Sequence, residues 1–247
     1  MRRQPAACCL TGGVMHVPGL SARERVTRLE SAGSRAREHA APRRGKRAFD
    51  LVVSVVLLTV LLPLLVVGGV IVRLTTPGPA LFRQTRLGLH GRPFVLYKFR
   101  SMYDGCPDEP HRRYVRQLLT GDPARAGASG LYKLDADPRV TRVGRVLRRT
   151  SIDELPQLLN VIRGDMSLVG PRPALPWEAE IFGDGHWQRF LVPPGITGLW
   201  QVSGRNRLTM RQALDLDVEY VRRQSFLLDL AVLLRTVPVV LSTIGAR

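Results

Sequence analysis

The sequence predicts an α+β, mainly helical protein anchored on one apolar membrane element. Three observations lead there. Residues 51–72 (LVVSVVLLTVLLPLLVVGGVIV) carry no ionisable side chain, and at ~1.5 Å per helical residue they are long enough to cross a bilayer core. Beyond them, apolar runs with helical spacing alternate with Gly/Pro clusters, as in a compact domain. Only one stretch, residues 80–102, reads as paired extended segments, so the β element is small.

Composition sets the outer bounds. The chain has 247 residues, room for a tail, a membrane element and one domain. Its 37 Lys and Arg against 20 Asp and Glu give a net charge of +17, which predicts anionic partners. The three cysteines, Cys8, Cys9 and Cys106, have no metal spacing and form no disulfide framework, and the five histidines do not cluster. Residues 1–45 are rich in Arg, Ala, Gly and Ser without apolar periodicity, and they read as a disordered basic tail; an arm that holds anionic lipid is the other reading. No apolar core of a signal peptide follows Arg2-Arg3.

The apolar run itself admits two topologies. Arg43, Arg44, Lys46 and Arg47 precede it, and Arg73, Arg83 and Arg86 follow it. Positive charge marks the cytosolic side of a membrane segment, so charge on both flanks favours a hairpin with both ends on one face. Pro63, near the middle, removes a backbone donor and offers a place to turn. A kinked spanning helix is the alternative.

After the breaker cluster TTPGP (75–79), ALFRQTRLG and GRPFVLYKFRSM read as two short strands around 88–91. Residues 104–136 read as a polar loop, with a short helix over 111–119. A turn at 137–141 leads into a basic amphipathic helix, VGRVLRRTS (143–151). Residues 178–190 look helical, and 192–206 form a loop rich in Gly, Pro and Trp. Residues 210–245 predict two helices, with Ser225 as the cap between them. The second is apolar and fits either the membrane surface or the core.

Candidate chemistry centres on Asp153-Glu154. Ser151-x-x-Glu154 matches a capping box, in which acids favour the first helical turn. Against that reading, Pro156 follows closely, and Arg148, Arg149, Arg163 and Arg172 surround the pair in sequence. A carboxylate among cations stays ionised and suits a nucleophile or a Mg²⁺ ligand. Gly170-Pro171-Arg172-Pro173 is a stiff turn presenting one Arg, whose fork matches phosphate oxygens. A helix–turn–strand–turn path from Asp153 to Arg172 would bring the two together. Walker A, G-x-G-x-x-G and G-x-S-x-G motifs are absent, and aromatics at 6% are too sparse for stacking nucleic acid.

The stretches KRAFDLVVS (46–54), GPALFRQTRLGLHGRPFVLYKFRSM (78–102), DPRVTRVGRVLRRTSIDELPQLLNVIRGDMSLVGPRP (137–173), PGITGLWQVSGRN (194–206) and LDLDVEY (214–220) together resemble the bacterial sugar transferases, the monotopic phosphoglycosyl transferases, in their minimal form. The resemblance implies transfer of a sugar 1-phosphate, a hexose 1-phosphate by preference, from a UDP-sugar to polyprenyl (undecaprenyl) phosphate. UMP is released and exopolysaccharide, capsule or O-antigen-type assembly begins. It implies Asp153 as nucleophile, Glu154 as its dyad partner, and Mg²⁺ as cofactor with Asp153 as ligand. Lys98, Arg148, Arg172 and Arg205 match phosphate-binding positions, and Asp217 matches a further position near the site. It also implies a re-entrant helix-break-helix over 46–74, broken near Pro63, and a cytosolic catalytic domain over 75–247 with interfacial C-terminal helices. Such a protein sits on the cytosolic face of the bacterial inner membrane, with no nucleic acid partner. The break usually carries Ser-Pro; here it is Leu62-Pro63, and Thr59 is the residue placed to bond a freed carbonyl. A non-catalytic single-span scaffold is the rival reading.

Overall fold

The computed structural model describes residues 44–120, 137–204 and 208–241. The tail expected over 1–45 lies outside them except for Arg44 and Gly45, and so does Arg205.

Helix α1 (Arg44–Thr75) holds the whole apolar run, with Pro63 inside it. The two halves expected on either side of a break near Pro63 form one continuous helix. Proline deletes a single donor, and a long run of neighbouring bonds carries the helix past it. Thr59 Oγ1 does donate to a carbonyl one turn back, that of Val55, at 2.9 Å. One stripe of α1 is buried or half-buried: Arg47, Asp50, Ser54, Leu58, Leu61, Leu65, Gly68 and Val72. That spacing is helical and runs on through Pro63. The opposite face is apolar and open, with Val52, Val60, Leu62 and Val66 each more than half exposed. Among the described residues α1 is the one helix long and apolar enough to cross a membrane.

Both arms of α1 rest on the domain. Near its start, Arg47 donates from Nη2 to the Ile162 carbonyl at 2.8 Å, and Asp50 accepts from Ser167 Oγ at 2.8 Å. Near its end, Val72 packs with Phe99 and Leu147, with Leu65 against them. Arg100 then fastens the exit turn by donating to the Thr76 carbonyl at 2.8 Å. Gly78 is needed there: its φ is 109°, and a Cβ would lie 2.0 Å from Arg100 Nη1.

Strands β1 (Leu81–Leu87) and β2 (Pro93–Phe99) form the expected antiparallel hairpin, in register from Leu81 opposite Phe99 to Leu87 opposite Pro93. Helix α2 (Glu109–Thr120) contains the stretch expected to be helical, and α3 (Arg142–Thr150) matches the basic helix. A 3-10 segment (Ile152–Gln157) leads to α4 (Leu158–Arg163) and strand β3 (Ser167–Val169). The stretch expected as one helix over 178–190 is split into α5 (Pro176–Ala179) and a 3-10 run (Asp184–Leu191). The loop expected over 192–206 contains β4 (Gly195–Thr197), parallel to β3, and α6 (Leu199–Val202). Helices α7 (Met210–Arg223) and α8 (Phe226–Leu241) close the fold. Ser225 caps α8 as expected, accepting from the Leu228 amide at 3.2 Å.

The fold is thus mainly helical with two small sheets. Its core joins β2, α4, β3, the 3-10 run and α7 through residues such as Leu96, Val161, Leu168, Trp187 and Tyr220. Helix α8 buries Val232 in that core and leaves Leu227, Leu234 and Val237 exposed. It meets α1 where Phe226 and Phe49 stack edge-on at 5.2 Å and where Lys46 donates to Asp229 at 2.7 Å.

Candidate active site

Asp153 and Glu154 sit at the joint between α3 and the 3-10 segment. Helix α3 starts at Thr141, whose Oγ1 accepts from the Gly144 amide at 2.8 Å. Gly144 lies against the Ser101 backbone so closely that a Cβ would come within 2.0 Å of the Ser101 carbonyl oxygen. The helix stops at Ser151, which has φ 58°, the left-handed region that β-carbons disfavour. Ser151 makes no side-chain cap bond, and Glu154 reaches Lys98. The capping-box reading of Ser151-x-x-Glu154 is thereby displaced, because a residue in the left-handed region does not carry the extended N-cap geometry.

Strand β2 brings Lys98 to the pair. Asn160, fully buried on α4, accepts from the Tyr97 amide at 3.1 Å and donates to the Val95 carbonyl at 2.7 Å. That double bond locks the strand edge to the helix that follows the carboxylates. Lys98 Nζ then lies 3.1 Å from Glu154 Oε1. Burial pushes the Lys98 ammonium below the usual lysine range, partly offset by Glu154 and Asp153, with Arg172 and Arg86 adding to the depression. Asp153 is buried at 8% exposure.

Arg172 arrives from the far side of the fold, on the turn after β3. The expected helix–turn–strand–turn path does return it to the carboxylates: Arg172, Lys98 and Glu154 line one small cleft. Lys98, Arg148 and Arg172 also line an adjoining cavity of about 210 Å³. Its outer wall includes Tyr103, His111 and the Asp137–Arg139 pair. Arg139 donates to Asp137 at 2.8–2.9 Å and holds that carboxyl below its usual range. Burial lowers the pKa of His111.

Of the expected site residues, Glu154, Lys98 and Arg172 share the cleft, Lys98, Arg148 and Arg172 share the adjoining cavity, and Asp153 is buried next to Glu154 in the chain. Asp217 stands apart from that cavity wall. It is buried on α7 against Arg189, whose Nη2 lies 2.6 Å from its Oδ2. Burial raises its carboxyl to about 6 despite Arg189. Arg163, one of the cations near the pair in sequence, turns instead to Tyr97, donating to its hydroxyl at 2.7 Å. Sequence reasoning missed Arg86, which holds the Pro173 carbonyl at 3.1 Å and lines both cavities. It missed Arg189 as well. The first was visible as a basic residue in the hairpin; the second gave no local signal.

A carboxylate paired with a lysine and sharing a cleft with an arginine, next to a cavity lined by that lysine and two arginines, suits binding and displacement at a phosphate group. Hard carboxylate oxygens are also what Mg²⁺ takes, one or two from the protein with the rest from substrate phosphates. Among the described residues there is no cluster of three or more His, Cys, Asp or Glu, so a site for such an ion would draw on Asp153 with Glu154 beside it.

A family model for bacterial sugar transferases matches residues 41–243. An undecaprenyl-phosphate galactose phosphotransferase of Salmonella typhimurium is 44% identical over 202 residues, covering 81% of this chain and 41% of that protein. A UDP-glucose:undecaprenyl-phosphate glucose-1-phosphate transferase of Caulobacter vibrioides is 43% identical over 212 residues, covering 81% of this chain and 71% of the relative. An exopolysaccharide production protein of Sinorhizobium fredii is 38% identical over 202 residues, covering 81% and 87%. The chain thus spans about two fifths of the Salmonella relative and most of the other two.

Proposed function

The chain belongs to the bacterial sugar transferase family, and from that premise we propose that it moves a sugar 1-phosphate from a UDP-sugar to polyprenyl phosphate, releasing UMP, at the start of exopolysaccharide-type assembly. The observation that carries this reading is Glu154, next to Asp153, paired with Lys98 in a cleft shared with Arg172, with Arg148 on the adjoining cavity that Lys98 and Arg172 also line. A carboxylate oxygen of Asp153 attacks the sugar-bearing phosphorus. The anhydride P–O bond breaks, and UMP leaves with its electron pair. An oxygen of the polyprenyl phosphate then attacks the same phosphorus, and the bond to Asp153 breaks to restore the carboxylate.

Two anions meet in each step, so charge at phosphorus has to be offset. Arg148, Arg172 and Lys98 supply fixed positive charge, and Glu154 holds Lys98 in place before substrate arrives. Mg²⁺ bound at Asp153, with Glu154 next to it, would neutralise the diphosphate further. The names of the relatives point to galactose or glucose as the transferred sugar, and a hexose is the donor we favour. Arg205 remains a candidate phosphate contact by its place in the family pattern.

The reading extends to the membrane. Both arms of α1 contact the domain, while its outer face and that of α8 are open and apolar. This supports a monotopic protein, with α1 held against the domain on both sides of Pro63 and the cavity on the cytosolic side. A spanning helix would carry one arm away from the domain.

The test is UMP release from a panel of UDP-hexoses in vesicles containing undecaprenyl phosphate. Asp153→Asn abolishes release and any radiolabelled phosphosugar adduct, and EDTA does the same to the unaltered protein. Full activity in Asp153→Asn would sink the nucleophile assignment.

A further inference from the structure

Arg189 and Asp217 line neither the Glu154 cleft nor the cavity beside it, yet Arg189, paired with Asp217, touches the turn that delivers Arg172. Each is 2% exposed. Arg189 Nη2 donates to Asp217 Oδ2 at 2.6 Å and to the Arg172 carbonyl at 2.6 Å. The Arg172 backbone amide lies close enough to Asp217 to favour its charged form. We propose that Arg189 and Asp217 are positioning residues, a buried clamp that fixes the Arg172 backbone so that its guanidinium is presented to the donor diphosphate. The proposal rests on the phosphate role of Arg172 argued above.

The surrounding backbone shows how tightly the turn is held. Gly170 donates to the Thr197 carbonyl at 2.9 Å, and the Pro171 carbonyl accepts from the Gly195 amide at 2.8 Å. Arg86 holds the Pro173 carbonyl at 3.1 Å. Pro171 and Pro173 have no amide hydrogen and restrict the backbone about Arg172 to extended conformations. The clamp engages the Arg172 carbonyl, the acceptor between those two prolines. Phe182 and Phe190 lie 5.1 and 5.8 Å from the Arg189 guanidinium, which sets the plane of the fork.

Stability alone does not account for the pair. Burial raises Asp217 although a guanidinium touches it, so ionising this carboxyl costs the fold more than the pairing returns. Apolar residues of similar size commonly fill such a position at no loss. What apolar residues would not supply is a donor matched to the Arg172 carbonyl and a carboxylate to hold that donor in place.

A double-mutant cycle tests this with the full chain in vesicles containing undecaprenyl phosphate, reading UMP release from UDP-galactose, or UDP-glucose where the unaltered protein prefers it. The variants are Arg172→Ala, the joint change Arg189→Met with Asp217→Leu, and all three together. The joint change leaves no orphan charge, and its melting temperature reports folding. It is expected to lower kcat/KM by up to ~100-fold, the scale of a 1 Å misplacement, and Arg172→Ala on top of it to add little. Losses that multiply as for independent sites would overturn the clamp, as would wild-type kcat/KM in the joint variant. Should the joint variant not fold, Arg189→Lys keeps the charge but not the planar fork. Its loss of kcat/KM should vanish in the Arg172→Ala background, and an unchanged kcat/KM would reject the proposal. Wild-type activity in Arg172→Ala alone is a different result, because it removes the phosphate role on which the clamp depends.

Discussion

Ser151 and Asp217 both occupy positions that local chemistry disfavours, and both lie beside the machinery. Ser151 has φ 58° two residues before Asp153, where a residue with a β-carbon costs roughly 1–2 kcal/mol over the usual region. That backbone turns the chain out of α3 and lets Glu154 reach across to Lys98 instead of bonding back to its own helix start. Asp217 is unfavourable in a way that pH can read. Its carboxyl is raised from 3.8 to about 6 by burial, against the opposing pull of Arg189. A raised folded-state value means that the stability linked to this group is fully present below pH 3.8 and is lost as the pH climbs through about 6. The shift corresponds to a loss on the order of 3 kcal/mol. Asp217→Asn removes the titration, so the stability difference between the two proteins should shrink or reverse by that amount across this window. Urea melts at several pH values measure it, and a constant difference would show that Asp217 titrates normally.

At the scale of elements, the start of α1 is wired to the strand that carries the Arg172 turn. Asp50 accepts from Ser167 Oγ at 2.8 Å and from the Leu168 amide at 3.4 Å, both on β3. Lys46 bridges onward to Asp229 on α8 at 2.7 Å, and Tyr220 on α7 donates to that same carboxylate at 2.6 Å. The Tyr220 hydroxyl is also 3.1 Å from the Val169 carbonyl, so β3 is held along its length by groups from α1 and α7. Asp50→Ala leaves the buried Leu168 amide without its acceptor, which costs about 1–3 kcal/mol, while the Ser167 hydroxyl keeps the Val169 carbonyl at 2.9 Å. The expected result is a lower melting temperature in detergent micelles and faster proteolysis near β3, with partial recovery in Asp50→Asn because its amide oxygen still accepts. An unaltered melting temperature in Asp50→Ala would mean that this junction bears no load.

Across the whole molecule, what the sequence revealed depended on whether the determinant was local. The hairpin, the basic helix, the capped final helices and the apolar run each follow from periodicity or breakers within one stretch. The DELPQ and GPRP segments pointed to the carboxylates and to Arg172 because both sit at sharp, Pro-marked turns. The strand before Arg172 was expected, but its parallel partner β4 was not legible, since a three-residue strand inside a Gly- and Pro-rich loop leaves no pattern. The Arg189–Asp217 contact was not legible either, because it joins residues on separate elements through burial alone. Topology is the remaining property decided by the whole molecule. Arg44 and Arg73 mark the two ends of α1, and both arms between them pack on one domain. With Cys8, Cys9 and Cys106 replaced by serine, single cysteines at 44 and 73 should both resist an impermeant maleimide in intact cells. Both should react with it in inverted vesicles. If position 73 labels from outside while 44 labels only from inside, α1 crosses the bilayer. The contacts at one of its ends would then have to be remade in the membrane, and the monotopic reading would fall with them.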